Sequence, residues 1–148
     1  GTSYAPNYLV FGTLSVADAK SGVFTTKGKY TLTTIPDGTS QTIGAVERFT
    51  SFPAYGWSNA TLYPMSPYYW GMNSYGSLYG YWGVRPPQTR NRTNSPQGAN
   101  PYDSSSAHDT SQVMIMDGSV RSVSASIKAS TWLNACTPDD GNVLGTDF

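Results

Sequence analysis

Few residues in this chain could do chemistry, and they gather around one stretch. Ala107 to Ser124 reads AHDTSQVMIMDGSVRSVS and holds the only histidine, His108. Near it in sequence lie Asp109 and the serines Ser104, Ser105 and Ser106; far upstream is the only glutamate, Glu47. An imidazole oriented by Asp109 or Glu47 and paired with one of these hydroxyls has the makings of an acyl-transfer site, with His108 as general base and a serine as nucleophile. The surroundings argue against it. The serines sit in a Pro/Asn-rich loop instead of a Gly-x-Ser-x-Gly turn, and no pattern supplies an oxyanion hole. The preferred reading is structural and non-catalytic: His108 hydrogen-bonds across the start of a hairpin, with Glu47 as its partner, and fixes the loop. A buried pair of that kind would make His108→Ala lower the melting temperature by several degrees.

Metal chemistry is equally thin. One His and one Cys cannot make a typical zinc site. Asp139, Asp140, Asn142 and Asp147 offer hard oxygen ligands near the C-terminus, so calcium is the one cofactor to weigh. Their spacing does not fit an EF-hand, and the competing reading is an ordinary turn. Cys136 is alone and cannot form an internal disulfide. Within an Ala/Trp/Leu segment it reads as a small buried apolar residue, the alternatives being an intermolecular bridge or a reactive thiol.

Residues 52–82 carry Tyr55, Trp57, Tyr63, Tyr68, Tyr69, Trp70, Tyr75, Tyr79, Tyr81 and Trp82, half of the aromatic side chains in the protein. A small domain does not easily hide so many rings. A subunit interface is the preferred reading, ahead of core filling and of a platform for sugars. The neighbouring Arg85, Arg90 and Arg92 could suggest single-stranded nucleic acid. The formal net charge is zero, which supplies no pull toward nucleic acid or anionic membrane, and a solvated loop is the better reading. Asn59-Ala60-Thr61 and Asn91-Arg92-Thr93 fit the short glycosylation sequon.

These residues need elements to hold them. Gln112–Met116 is an apolar, β-favouring run, Asp117-Gly118 accepts the positive φ angles of a two-residue type I′ turn, and Ser119–Ser124 returns. The first of these two strands is almost wholly apolar and should be interior to a sheet. Tyr8-Leu9-Val10-Phe11 reads as a buried strand and Lys29–Thr34 as a half-exposed one. Ile35-Pro36-Asp37-Gly38 is a turn. Thr39–Phe49 is a further strand, with Ile43, Ala45 and Glu47 sharing a side. Tyr75–Trp82 alternates and reads as a strand, while Val84–Ser106 is a long surface loop. Ser130–Cys136 suits a short helix with Ser130 near its N-cap, stopped by Pro138 and Asp139-Asp140-Gly141. Val143, Leu144 and Phe148 should pack the tail.

The length of 148 residues suits one domain, residues 1–148, with a real core. Charged residues make up 12% of the chain, while Ser, Thr, Asn, Gly and Tyr abound, a mix typical of extracellular β-rich proteins. A single Glu argues against much helix. The expected fold is α+β, mainly antiparallel β-sheet with a short C-terminal helix. No apolar run is long enough to span a membrane. The chain opens on Gly1-Thr2-Ser3-Tyr4 without an initiator Met, so it is expected to be the C-terminal part of a longer precursor.

Several segments together resemble a large bacterial prepilin-like family named for a motif of His, nine residues, then Asp-Gly. They are His108…Asp117-Gly118-Ser119-Val120-Arg121, Thr131-Trp132, Ala135, Thr137-Pro138, Gly141, Val143-Leu144-Gly145 and Asp147-Phe148. Upstream, Tyr4-Ala5-Pro6-Asn7, Val10-Phe11-Gly12, Asp37-Gly38-Thr39-Ser40-Gln41-Thr42-Ile43 and Glu47 extend the likeness. Eight residues, not nine, separate His108 from Asp117 here, and the family's N-terminal helical half is absent. The resemblance implies a pilin-headgroup-like fold and an exported, cell-surface or extracellular pilin-like subunit. It makes His108, Asp117, Gly118, Glu47, Asp37 and Gly38 motif residues of structural rank. It also likens the Asp139–Asp147 region to the cation-stabilised C-terminal loops of some pseudopilins. The expected partners are further copies in a homo-oligomer or filament and the remaining half of the precursor. The alternative function is a secreted glycan-binding module acting through residues 55–82.

Overall fold

A computed structural model describes residues 4–11, 28, 30–49, 86–89 and 104–148. The readings placed on Gly12, Lys29 and residues 50–85 and 90–103 lie outside the described residues. The described part is α+β. Four strands, β1 (Tyr4–Pro6), β2 (Ile43–Glu47), β3 (Thr110–Ile115) and β4 (Val120–Ser124), form one antiparallel sheet in the order β1-β2-β3-β4. A helical turn α1 (Tyr8–Phe11), a 3-10 turn at Thr39–Gln41 and the helix α2 (Ala129–Cys136) complete it.

The hairpin stands where its sequence put it, and β3 is interior. Its turn differs by one residue. The Ile115 N–H donates to the Ser119 carbonyl at 2.8 Å and Gly118 N–H donates to the Ile115 carbonyl at 2.9 Å. The loop is therefore the three residues Met116-Asp117-Gly118, with Gly118 at φ 89 in the left-handed position. A three-residue loop of this kind ends on a bulge glycine, whereas a two-residue turn would have paired Met116 with Ser119. The register decides which face is buried. As formed, Ser111, Val113, Ile115 and Val123 face inward, and Met114 pairs with Val120 on the exposed face.

Three strand expectations change. Tyr8–Phe11 is a single helical turn, because Asn7 caps it: its Oδ1 accepts the Leu9 N–H at 3.0 Å and its carbonyl accepts the Phe11 N–H at 3.0 Å. Thr31–Thr34 is a turn. The Thr31 N–H donates to Thr34 Oγ1 at 2.9 Å and Thr34 N–H to the Thr31 carbonyl at 3.0 Å, so threonine hydroxyls compete with any ladder. The strand expected over Thr39–Phe49 shrinks to β2, and its register shifts between Ile43 and Ala45. That bulge places Ile43 and Val46 together in the core, in place of Ile43, Ala45 and Glu47. The Ile35–Gly38 turn holds, closed by a 3.1 Å bond from Gly38 N–H to the Ile35 carbonyl.

The core lies between the sheet and α2. Ile43, Val46, Val113, Ile115, Val123, Ile127, Trp132, Ala135 and Cys136 form one buried cluster, with Leu144 and Phe148 packed on it. Val143 is 82% exposed and does not join them. Trp132 is the largest fully buried side chain among the described residues, and truncating such a residue costs about 3–5 kcal/mol. The described ends of the expected surface loop are pinned: Thr89, Ser104, Ser105 and Ser106 are buried, and Gln88 bridges Ser105 in parallel.

Candidate functional site

The chemistry-bearing residues fall into two clusters, one at each end of the sheet's core. The first surrounds Glu47. At the end of β2 its backbone carbonyl accepts the Ser105 N–H at 3.2 Å. Its side-chain Oε2 accepts the Gln112 N–H at 2.8 Å, so a carboxylate takes the place of the ladder carbonyl that β3 would otherwise meet. His108 Nε2 lies 3.9 Å from Glu47 Oε1, with the imidazole 70% exposed and Glu47 14% exposed. The two side chains face one another across the start of the hairpin without the hydrogen bond or the burial expected from the sequence. The distance is beyond a hydrogen bond, and an exposed contact of this type is worth about 0–1 kcal/mol.

The serines beside His108 serve the backbone. Ser106 Oγ accepts the backbone N–H of His108 at 3.1 Å and donates to the Thr110 carbonyl at 2.9 Å. Ser105 Oγ accepts the Phe49 N–H at 2.9 Å. The serine-to-histidine link thus runs through main chain, where a nucleophile–base pair would need hydroxyl against ring nitrogen. What this corner does is close the sheet's end with charge-assisted and hydroxyl–backbone bonds.

The second cluster holds the C-terminal loop and tail. Asp37 sits in the turn before β2, and its carboxylate accepts two successive backbone N–H groups, Asp140 to Oδ2 at 2.9 Å and Gly141 to Oδ1 at 3.1 Å. With Gly141 at φ 70, consecutive N–H groups converge on one anion. Asp37 N–H also donates to the Pro138 carbonyl at 3.1 Å. Six residues past Gly141, Asp147 accepts Lys128 N–H on Oδ2 and Thr131 Oγ1 on Oδ1, each at 2.8 Å. Lys128 is the N-cap residue of α2 and has no side-chain cap of its own. Asp147 therefore caps the helix from the tail, and Ser130, expected near that cap, lies inside the first turn. These bonds, the one from Lys128 foremost, hold the Asp147 carboxyl below its ordinary value.

Each Asp among the calcium candidates already accepts a bond in this arrangement. Asp147 is at the start of α2, Asp140 Oδ1 accepts the Asn142 N–H at 2.8 Å, and Asp139 Oδ2 accepts the Tyr30 hydroxyl. Among the described residues no three His, Cys, Asp or Glu side chains converge as a metal site would require. The Asp oxygens weighed as ligands accept backbone N–H groups and hydroxyls. Asp117 does the same in the hairpin turn: Oδ1 accepts Ser119 Oγ at 2.7 Å and Ser119 N–H at 2.9 Å, which lowers its carboxyl, the hydroxyl contributing most. Gly38, at φ 89, closes the Asp37 turn. Cys136 is buried, as read, and burial pushes its thiol well up.

Two residues of this framework carry more than the sequence assigned them. Asn7 is fully buried and donates Nδ2 to the carbonyls of Ile43, at 2.7 Å, and Cys136, at 2.8 Å. An Asn directly before an apolar turn is an N-cap signal, which could have found half of this role. Gly145 is the other: a Cβ there would strike Thr131 Oγ1 and stand 2.5 Å from Asp147 Oδ1. The ten rings Tyr55, Trp57, Tyr63, Tyr68, Tyr69, Trp70, Tyr75, Tyr79, Tyr81 and Trp82 lie outside the described residues. Among the described residues no helix is long and apolar enough to cross a membrane.

Residues 3–130 match the model of a family described as a protein of unknown function (DUF1559). No curated protein and no solved structure matches the chain.

Proposed function

We propose, from the premise that the chain belongs to the DUF1559 family, which is associated with type II secretion pseudopilin-like proteins, that it is a non-catalytic structural subunit of an exported assembly. The assembly stands at the cell surface or outside the cell, and its repeating unit is this chain. On this reading His108 and Asp117-Gly118 stand for the His and Asp-Gly of the resembled motif, with eight residues between them in place of nine, and flank β3 of the hairpin that β2 pairs onto.

One observation carries the reading. Of the residues weighed for a reacting centre, Glu47, Ser105 and Ser106 spend oxygens on backbone N–H groups or a backbone carbonyl, and the carboxylates of Asp37 and Asp147 likewise accept backbone N–H groups and a hydroxyl. Groups committed to holding main chain are poor general bases, because releasing them opens the fold. A headgroup in an assembly needs that stiffness. The zero net charge and low charged content also suit close packing of like copies. Negative-stain electron microscopy of the material from its native source tests the reading. Regular filaments or patches labelled by antibody against this chain are expected; particles that stay monomeric at every concentration would remove it.

A further inference from the structure

We infer that the open edge of β4 is a self-pairing surface, where a second copy of this chain adds its own β4 antiparallel and extends the sheet across a two-fold axis at Ser122. The inference rests on the structural-subunit reading and names one of its contacts.

The argument begins with the direction of the backbone groups. In an antiparallel pair, hydrogen-bonded and non-hydrogen-bonded positions alternate. The bond from Ile115 N–H to the Ser119 carbonyl fixes the phase, so Arg121 and Val123 spend their backbone groups on β3. Val120, Ser122 and Ser124 then aim theirs away from β3. The same phase turns Gln112 of β3 toward β2, where its N–H meets Glu47. Among the described residues β4 is the last strand in the sheet, and Val120, Arg121, Ser122 and Ser124 are all exposed. Of the outward groups, the Ser124 carbonyl alone has a backbone partner among the described residues, the Ile127 N–H at 3.1 Å.

The edge is complementary to itself. Antiparallel pairing about Ser122 sets Ser122 against its counterpart and Val120 of each copy against Ser124 of the other. All three are outward-aimed positions, giving about four backbone bonds between free groups and two more that share the Ser124 carbonyls with Ile127, at two per hydrogen-bonded pair. Arg121 falls opposite Val123, so no like charges oppose one another directly. The usual guards of an edge strand are sparse: β4 has no Pro, Lys or acid. Its one charge, Arg121, is drawn onto the core side, with its guanidinium 5.1 Å from the centre of the Phe148 ring. A five-residue edge is a short contact, suited to one link in a repeating assembly and too small alone for a tight dimer.

Two experiments on the full chain test this. Ser122→Cys places thiols at the two-fold axis, where facing Cα atoms come within disulfide reach. Mild oxidation should yield covalent dimer several-fold faster than for Ser126→Cys, which is exposed but off the strand. In the second, Val120→Lys/Ser124→Lys and Val120→Glu/Ser124→Glu oppose like charges in self-pairing. Each double variant alone should lose assembly, and an equal mixture should recover it. Thermal melts matching the parent confirm that these exposed changes leave the fold intact. If filaments form but the Lys variant assembles unimpaired and Ser122→Cys shows no excess over its control, the edge inference falls while the subunit reading stands. If the parent never associates, both fall.

Discussion

The side-chain amide of Asn7 donates to the carbonyl oxygen of Cys136 at 2.8 Å, across 129 residues of chain. The same nitrogen donates to the Ile43 carbonyl, and the other end of the side chain caps α1. One buried amide thus ties the first helical turn, β2 and the end of α2. Removing it leaves two inward carbonyls short of a donor, at roughly 1–3 kcal/mol each. For a chain of this size each kcal/mol lowers the melting temperature by roughly 2–4 °C. Asn7→Ala should melt several degrees early. Asn7→Asp should fare no better, since it keeps the cap but sets a carboxylate against two carbonyl oxygens. A melt of Asn7→Ala indistinguishable from the parent would refute the bracing role.

Glu47 and His108 make a contrasting pair. Glu47 accepts a β3 backbone N–H on a half-buried carboxylate, and His108 is 70% exposed at 3.9 Å from it. Glu47→Ala strands that N–H and should cost about 1.5–3 kcal/mol, the range for a bond to a charged group. His108→Ala should stay within about 0.5 kcal/mol, as surface changes do. Urea unfolding of both variants decides the matter, and a larger loss for His108 would reverse the assignment.

The hairpin, the Ile35–Gly38 turn, α2 and the buried Cys136 were legible because each depends on neighbours in sequence. What the chain did not disclose depends on partners far away. Asn7 takes its meaning from Ile43 and Cys136, and the cap of α2 comes from Asp147, 19 residues past Lys128. The residues weighed as calcium ligands share a region of sequence, yet Asp139, Asp140 and Asp147 hold different partners, Tyr30, Asn142 and the start of α2. Tyr8–Phe11 was misread because a four-residue apolar run has no period of its own, and its Asn cap settles the matter. A one-residue difference in the hairpin loop was likewise invisible, since Asp117-Gly118 serves both turn lengths.

Two carboxyls among the described residues have a lowered pKa and contribute to the pH dependence of stability in acid. Asp147 is lowered by the Lys128 and Thr131 bonds, and Asp117 by Ser119. A group whose folded pKa is lowered stabilises the fold above its ordinary value, 3.8 here, and loses that contribution as pH falls through the lower folded value. Stability should therefore be flat with respect to these two groups above about pH 5 and decline below about pH 4. Asp147→Asn should be less stable at neutral pH and show a shallower acid decline. Denaturant titrations across that window measure it; an unchanged slope would separate Asp147 from helix capping.

Cys136 should behave as an interior methyl-sized group, not as a sensor. It is fully buried at the end of α2 and burial disfavours its thiolate, the reactive form. A thiol reagent should label the native chain only as fast as it opens, with the rate rising steeply in denaturant. Rapid stoichiometric labelling without denaturant would contradict the packing.

Gly145 and Gly44 both stand where a side chain would collide, but what they would meet differs. At Gly44 the neighbours are Met114 Cε and Met116 Sδ, at 2.6 and 2.7 Å from the position of a Cβ. Those are flexible side-chain atoms over the β2 bulge, and they can move aside. At Gly145 the neighbours are Thr131 Oγ1 and Asp147 Oδ1, the two atoms of the bond that fastens the tail to α2. An alanine there must break that bond or push the tail, which also carries Phe148 on the core. Overpacking of this kind costs typically about 1–3 kcal/mol. Gly145→Ala should fall in the upper part of that range and free the tail to protease, while Gly44→Ala falls in the lower part with the tail still protected. Limited proteolysis with mass mapping reads the difference, and equal protection of the tail in both variants would mean that the clamp is not what holds it.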